Sequence, residues 1–263
     1  MDNATTQVAS SAPQPIVRVR DVAKSFGHVR ALRGASLDIY PGEVLALIGD
    51  NGAGKSTLSN VLAGVLDPDQ GEVLVGGDAM TLGSVAAARS HGIEIVYQDL
   101  AQAPDLSVTQ NFFLGRELVQ PGPLGLLGKL DEKTMRARTK EAMSLLGAQV
   151  PSLTAPVSAL SGGQRQAIAV ARAVMWAKTA ILMDEPTAAL GARQTAMVYD
   201  AVRAAAERGL AVVLVSHDIP KMIDFADRIA IMRHGRVVEQ MTTGGLQLVD
   251  VLTTMLSAKE EAA

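Results

Sequence analysis

Apolar and polar residues alternate in short runs over the first third of the chain. Residues 16–22, 31–40 and 72–76 carry the two-residue period of half-buried strands. Pro41-Gly42 and Gly76-Gly77 place turns at their ends, so these runs predict an antiparallel β unit. A different unit is threaded through them. Residues 43–48 form a short β-type run, a glycine-rich loop follows, and a helical period begins at Lys55 and extends to about Leu66.

Beyond Gln98 the period becomes helical, interrupted by the Pro/Gly-rich stretch 120–128, which predicts a connector within a helical lobe. One helix there is well marked. Asp131 can cap it, Met135, Ala142, Met143 and Leu146 share a face, and Gly147 can end it. From Leu160 helix and strand alternate: a helix over 164–176, a strand over 179–183, a helix over 192–208 closed by Gly209, and a strand over 211–216. Such alternation predicts the crossover units of a parallel sheet. Two final strands, near 229–232 and 236–239, flank a turn at His234-Gly235, and a short helix closes the chain. No motif occurs twice, so no internal repeat is expected.

At 263 residues and 48% apolar composition the chain can bury the core of one large α/β domain. A net charge of −3 and 3% aromatic residues argue against a nucleic-acid partner, which calls for a basic footprint and stacking rings. Cysteine is absent, which excludes disulfides, thiolate metal sites and cysteine nucleophiles and fits a reducing compartment. Purely apolar stretches such as 211–215 fall far short of the roughly 20 residues of a membrane helix. Residues 1–15 have neither Lys nor Arg nor an apolar central run; they predict a disordered tail rather than a secretion signal.

The chemistry begins at Gly49-Asp50-Asn51-Gly52-Ala53-Gly54-Lys55-Ser56, which fits G-x-x-x-x-G-K-[ST] between a strand and a helix. Glycines let the backbone wrap a phosphate with several N–H groups pointing inward, and the following helix adds its positive end. Lys55 then neutralises the β and γ phosphates, and the Ser56 hydroxyl completes a Mg²⁺ shell. A chance match in such a chain is on the order of one in a hundred, so a merely glycine-rich turn is the weaker explanation. A second cluster, Ile181-Leu182-Met183-Asp184-Glu185, ends a β-type run with two carboxylates. Alone, Asp-Glu after a strand is usually a helix start. Beside a phosphate loop, Asp184 suits holding Mg²⁺ either directly or through one of the metal's other ligands, and Glu185 suits orienting and polarising an attacking water.

The run Leu160-Ser161-Gly162-Gly163-Gln164-Arg165-Gln166 can be read on its residues as a capped helix start. Together with the phosphate loop and the acidic strand, it resembles the ATP-binding subunits of ABC transporters over about residues 16–239. The resemblance implies an α/β fold: a P-loop NTPase parallel-sheet core with an antiparallel β subdomain and a helical lobe. It places a domain over 16–245, with the lobe at about 99–160 and a C-terminal helix and tail over 246–263. It further implies ATP and Mg²⁺ as ligands, ATP hydrolysis as the reaction, and a homodimer in which Ser161, Gly162, Gly163 and Gln164 meet the γ-phosphate held by the opposite chain.

Other positions follow by the same likeness. Phe26 resembles the aromatic that stacks on adenine, although alone it reads as a core residue. Thr57 continues the phosphate loop, Gln98 resembles the glutamine that reaches Mg²⁺ and water, and His217 resembles the histidine on the γ-phosphate. One position departs. Where many relatives carry an Asp that contacts across the dimer, this chain has Gly191. The Phe112-Phe113-Leu114-Gly115-Arg116-Glu117 segment and the Gln164-Arg165-Gln166 ending resemble importers of monosaccharides of the fructose or ribose type. That branch implies an integral membrane permease, an extracellular or periplasmic sugar-binding protein, and a place on the cytoplasmic face of the cell membrane. Competing expectations are an importer of branched-chain amino acids, an exporter, a soluble ABC ATPase, or a small-molecule kinase, for which the 160–166 run would have no task.

Overall fold

A computed structural model describes residues 14–97, 100–145, 147, 150–187 and 190–257. Along the chain run β1 (Val17–Phe26), β2 (Val29–Ile39), β3 (Val44–Ile48), α1 (Lys55–Leu62), β4 (Gln70–Val75), β5 (Asp78–Ala79), α2 (Val85–Ser90) and β6 (Ile93–Val96). There follow α3 (Val108–Phe113), α4 (Pro123–Leu126), α5 (Glu132–Leu145), α6 (Gly162–Trp176), β7 (Ala180–Asp184), α7 (Ala192–Glu207), β8 (Ala211–Val215), α8 (Ile219–Phe225), β9 (Arg228–Arg233), β10 (Arg236–Thr242) and α9 (Leu248–Ser257).

The main sheet has the order β10-β9-β3-β8-β7-β6, parallel from β9 to β6 with β10 as an antiparallel edge. All five residues of β3 are buried, as expected for a strand covered on both faces. Their alternation divides two cores. Leu45 and Leu47 pack with Leu58, Leu62, Val19 and Leu37, under α1 and the antiparallel sheet β2-β1-β4-β5. Val44, Ala46 and Ile48 pack with Val170, Val202 and Leu214, under α6 and α7. A third core belongs to the helical lobe, where Val108, Phe112, Phe113, Met135 and Met143 close on Ile168 and Ala171 of α6. Burying Phe112, Phe113 and Met135 alone contributes roughly 5–9 kcal/mol against the water-exposed chain.

The fold is the one expected, with local differences. Helix α1 stops at Leu62 instead of near Leu66, because Gly64 takes φ 71 and its backbone lies against Ser84, where a Cβ would meet the Ser84 oxygen at 2.3 Å. Helix α6 starts two residues early, at Gly162, since Ser161 and Gln164 close a capping box ahead of it. Elements α2, β6 and α8 were not legible: each is seven residues or fewer, and α8 has a proline in its first turn. Asp131 does receive the Thr134 N–H at 3.1 Å, and Gly147 ends that helix at φ 58, whereas Leu146 lies outside the described residues. Of the tail expected over 1–15, residues 1–13 also lie outside the described residues, while Gln14 accepts from the Arg18 guanidinium at 2.6 Å.

Candidate nucleotide site

Because β3, β8 and β7 are parallel neighbours, their carboxyl ends reach one edge of the sheet together. The phosphate loop leaves β3 there, Asp184 ends β7 beside Glu185, and Ser216-His217 follow β8. Three segments far apart in sequence thereby meet. The loop is clamped from behind: Gly235 in the β9–β10 turn donates its N–H to the Ala53 carbonyl at 2.9 Å and accepts from the Arg33 N–H at 2.8 Å. At Gly49 a Cβ would sit 2.2 Å from the Met232 carbonyl, and at Gly54, with φ 105, 2.7 Å from the Ala31 carbonyl. The His234-Gly235 turn is visible in the sequence, but its contact with the loop is a tertiary fact.

Side-chain bulk at these glycines therefore displaces backbone, not a flexible side chain. Gly49→Ala and Gly54→Ala should each weaken ATP binding at least tenfold by calorimetry. Gly76→Ala, in a hairpin turn at φ 62 with open space around it, should lose only about 1 kcal/mol of stability and keep wild-type affinity. Equal affinities in all three would show that the clamp does not shape the loop.

Lys55, half-buried, donates to the Gly49 and Asp50 carbonyls at 2.8 and 3.0 Å. Burial pulls its ammonium below the ordinary lysine range, opposed by the carboxylates of Glu185, Asp184 and Asp50. Asp184 is pushed the other way: burial raises its carboxyl, the Ser56 hydroxyl stabilises the ionised form by a hydrogen bond, neighbouring Glu185 raises it further, and Lys55 lowers it. One lysine thus faces three carboxylates, and its charge offsets the burial that raises Asp184.

Glu185 has φ 47, a left-handed conformation that costs a non-glycine residue on the order of 1 kcal/mol. Its own N–H still bonds the Val215 carbonyl at 3.0 Å, so the turn is pinned to β8. His217 Nδ1 lies 2.9 Å from Glu185 Oε1, with the imidazole largely exposed and the carboxylate about a quarter exposed. Sequence likeness pointed His217 at a phosphate; the fold also ties it to Glu185.

Ser161 accepts the Gln164 N–H at 3.3 Å, while the Gln164 side chain accepts the Ser161 N–H at 3.0 Å. No hydrogen bond or ion pair among the described residues links this turn to the phosphate loop of the same chain. A cleft of about 290 Å³ opens beside it instead, lined by Ser161, Gly163, Gln164, Arg193, Gln194 and Met197. No motif in the sequence marks Gln194. A Cβ on Gly163 would stand 2.7 Å from its Cγ, and one on Gly191 would stand 2.9 Å from its Oε1, so Gln194 occupies the space that both glycines leave.

Phe26, at the tip of the β1–β2 hairpin, is 48% exposed rather than packed in a core, with the Lys24 ammonium 5.8 Å from its ring. Asn51, Gly52 and Ser56 are open to solvent along the loop, Thr57 is half-buried, Ala53 is buried, and Gly162 has open space where a side chain would stand. Gln98 lies outside the described residues, as do Ala188 and Ala189 between Glu185 and Gly191.

Residues 32–188 match the family described as ABC transporter. The fructose import ATP-binding protein FrcA of Rhizobium meliloti is 42% identical over 251 residues, 95% of this chain and 96% of that protein. A ribose import ATP-binding protein, RbsA 2 of Streptomyces avermitilis, is 37% identical over 95% of this chain and 48% of its own length; this chain spans about half of it. Among solved structures, a dimeric post-hydrolysis state of the ATP-binding cassette MJ0796 bound to ADP and Pi superposes with a TM-score of 0.73 at 25% identity, covering 86% of this chain and 98% of that one.

Proposed function

Because the chain belongs to the ABC transporter family, we propose that it is the ATP-binding and hydrolysing subunit of a monosaccharide importer, working as one half of a dimer. The observation that carries the chemistry is the meeting of Lys55, Asp184, Glu185 and His217 at one sheet edge. The phosphate loop, 49–56, wraps the β and γ phosphates, Lys55 exchanging its two loop carbonyls for phosphate oxygens. Phe26 offers an exposed ring to the adenine.

Ser56 and Asp184, a hydroxyl hydrogen-bonded to a half-buried carboxylate, form the oxygen donor set that a hard divalent cation satisfies, and Gln98 is proposed to join them. Mg²⁺ held there would supply charge compensation to the phosphates. Glu185 orients the attacking water and polarises it. His217 fixes the carboxylate through its 2.9 Å bond and leaves its other ring nitrogen free to face the γ-phosphate. A second copy brings Ser161, Gly162, Gly163 and Gln164, a helix start with unpaired N–H groups, to the far side of that phosphate. ATP bridges the two copies and hydrolysis removes the bridge, so the dimer opens and closes with turnover.

Among the described residues no helix is long and apolar enough to cross a membrane. The likeness to import ATP-binding proteins supports a separate permease for passage of the solute, fed by a sugar-binding receptor. The ATPase then works from the cytoplasmic face. Deleting the gene should abolish uptake of one monosaccharide from a labelled panel that includes fructose and ribose. Wild-type chain should restore uptake and Lys55→Ala should not. Intact sugar uptake with loss of branched-chain amino acid uptake would overturn the sugar assignment and leave the ATPase assignment standing.

A further inference from the structure

The stretch that the sequence marked as a connector is a built hairpin. Val119 and Leu130 pair as a bridge, the Gln120 N–H bonds the Lys129 carbonyl at 2.8 Å, and the Asp131 N–H bonds the Leu118 carbonyl at 2.7 Å. Gly125 lies so close to the Gln120 carbonyl that a Cβ would stand 1.8 Å from it. Helix α4 forms the tip. Having closed its backbone bonds internally, the hairpin leaves Leu126 91% and Leu127 83% exposed, with Leu124 half exposed beside them. Two adjacent leucines held almost entirely in water on a hydrogen-bonded loop form a patch that folding alone does not explain.

Charge next to the tip is segregated. The whole chain carries −3, yet residues 129–141 hold five cations, Lys129, Lys133, Arg136, Arg138 and Lys140, against Asp131, Glu132 and Glu141. Met135, Thr139, Ala142 and Met143 are the buried face of α5; Lys133, Arg136 and Lys140, at helical spacing, form an exposed basic face beside it, bordered by the exposed Glu141. Lys129, Arg136 and Lys140 close no ion pair among the described residues. An exposed apolar tip followed along the chain by exposed cations suits a yielding apolar medium with an anionic surface better than a shaped protein groove.

We infer that the α4 hairpin and the basic face of α5 rest on the anionic lipid surface of the membrane, Leu126 and Leu127 entering the interface while Lys133, Arg136 and Lys140 meet the headgroups. This goes beyond the proposed ATPase function and rests on it only for the nearness of a membrane.

Co-sedimentation of the full chain with vesicles tests it. Binding to phosphatidylglycerol vesicles should exceed binding to phosphatidylcholine vesicles at least tenfold and fall with added salt. Leu126→Ser combined with Leu127→Ser should lower it at least tenfold, and so should Lys133→Gln, Arg136→Gln and Lys140→Gln together. ATPase activity, measured in the same samples, should stay at the wild-type level in every variant, which separates this outcome from failure of the nucleotide site. Equal binding to both lipids, no binding to either, or unchanged binding by the leucine variant would overturn the inference. Lipid-free size-exclusion in which only the leucine variant loses self-association would overturn it in favour of a second copy as the occupant.

Discussion

Glu185→Gln should leave ATP affinity within a few-fold of wild type and lower turnover by about 10²–10⁴-fold, the usual contribution of a positioned base. The amide keeps the shape of the carboxylate, and its oxygen can still accept from His217 Nδ1 across the same 2.9 Å. The left-handed backbone at this position, φ 47, is set by the turn after β7 and its bond to Val215, neither of which depends on the side-chain charge. What the variant loses is a carboxylate able to polarise water. The change also removes one of the charges that keep Lys55 protonated, an effect that leaves Asp184 and Asp50 in place. With binding kept and hydrolysis stopped, the variant should accumulate as an ATP-bound dimer on size-exclusion in Mg-ATP. Normal turnover would move the base to another group, and a persistent monomer would separate ATP binding from dimer formation.

The parallel core was legible because β3, β7 and β8 are buried on both faces and so read as continuous apolar runs ended by chemistry-bearing residues. The phosphate loop and Ser161 turn were legible for a related reason, since glycine spacing and a capping residue are local devices. Strand β6 hid because Glu94 interrupts four residues, and that glutamate is there to pair with Arg116 of the lobe. Helix α8 hid behind Pro220, which its first turn tolerates because those N–H groups have no intrahelical partner. Contacts between distant segments left no trace in the sequence: the Gly235 clamp on the loop, the His217–Glu185 bond, and Gln194 filling the space beside Gly163 and Gly191. That last contact accounts for Gly191 locally. A side chain there would compete with the Gln194 amide, so the space beside Gly191 is occupied from one turn further on.

Mixing two dead variants tests most directly whether the site is shared between copies. Lys55→Ala removes the cation of the phosphate loop, and Ser161→Arg fills the helix start; each homodimer should turn over ATP at least a hundredfold more slowly than wild type. Ser161→Arg should still fold, because the residue is exposed and losing its cap costs about 1 kcal/mol of a stability that is typically 5–15. If each nucleotide lies between the loop of one chain and the Ser161 turn of the other, a mixed dimer gathers both lesions into one site and leaves the other intact. An equal mixture then contains about half mixed dimers, each with one working site, and should recover roughly a quarter of wild-type ATPase activity. The control joins both substitutions in one chain and mixes it with wild type, which puts one lesion in each site of the hybrid and leaves those hybrids inactive. Recovery near a quarter in the first mixture with inactive hybrids in the second is the result a composite site predicts. No recovery in the first mixture, with hybrids of the second retaining half of wild-type activity, would contradict it and return the Ser161 turn to its own chain's nucleotide.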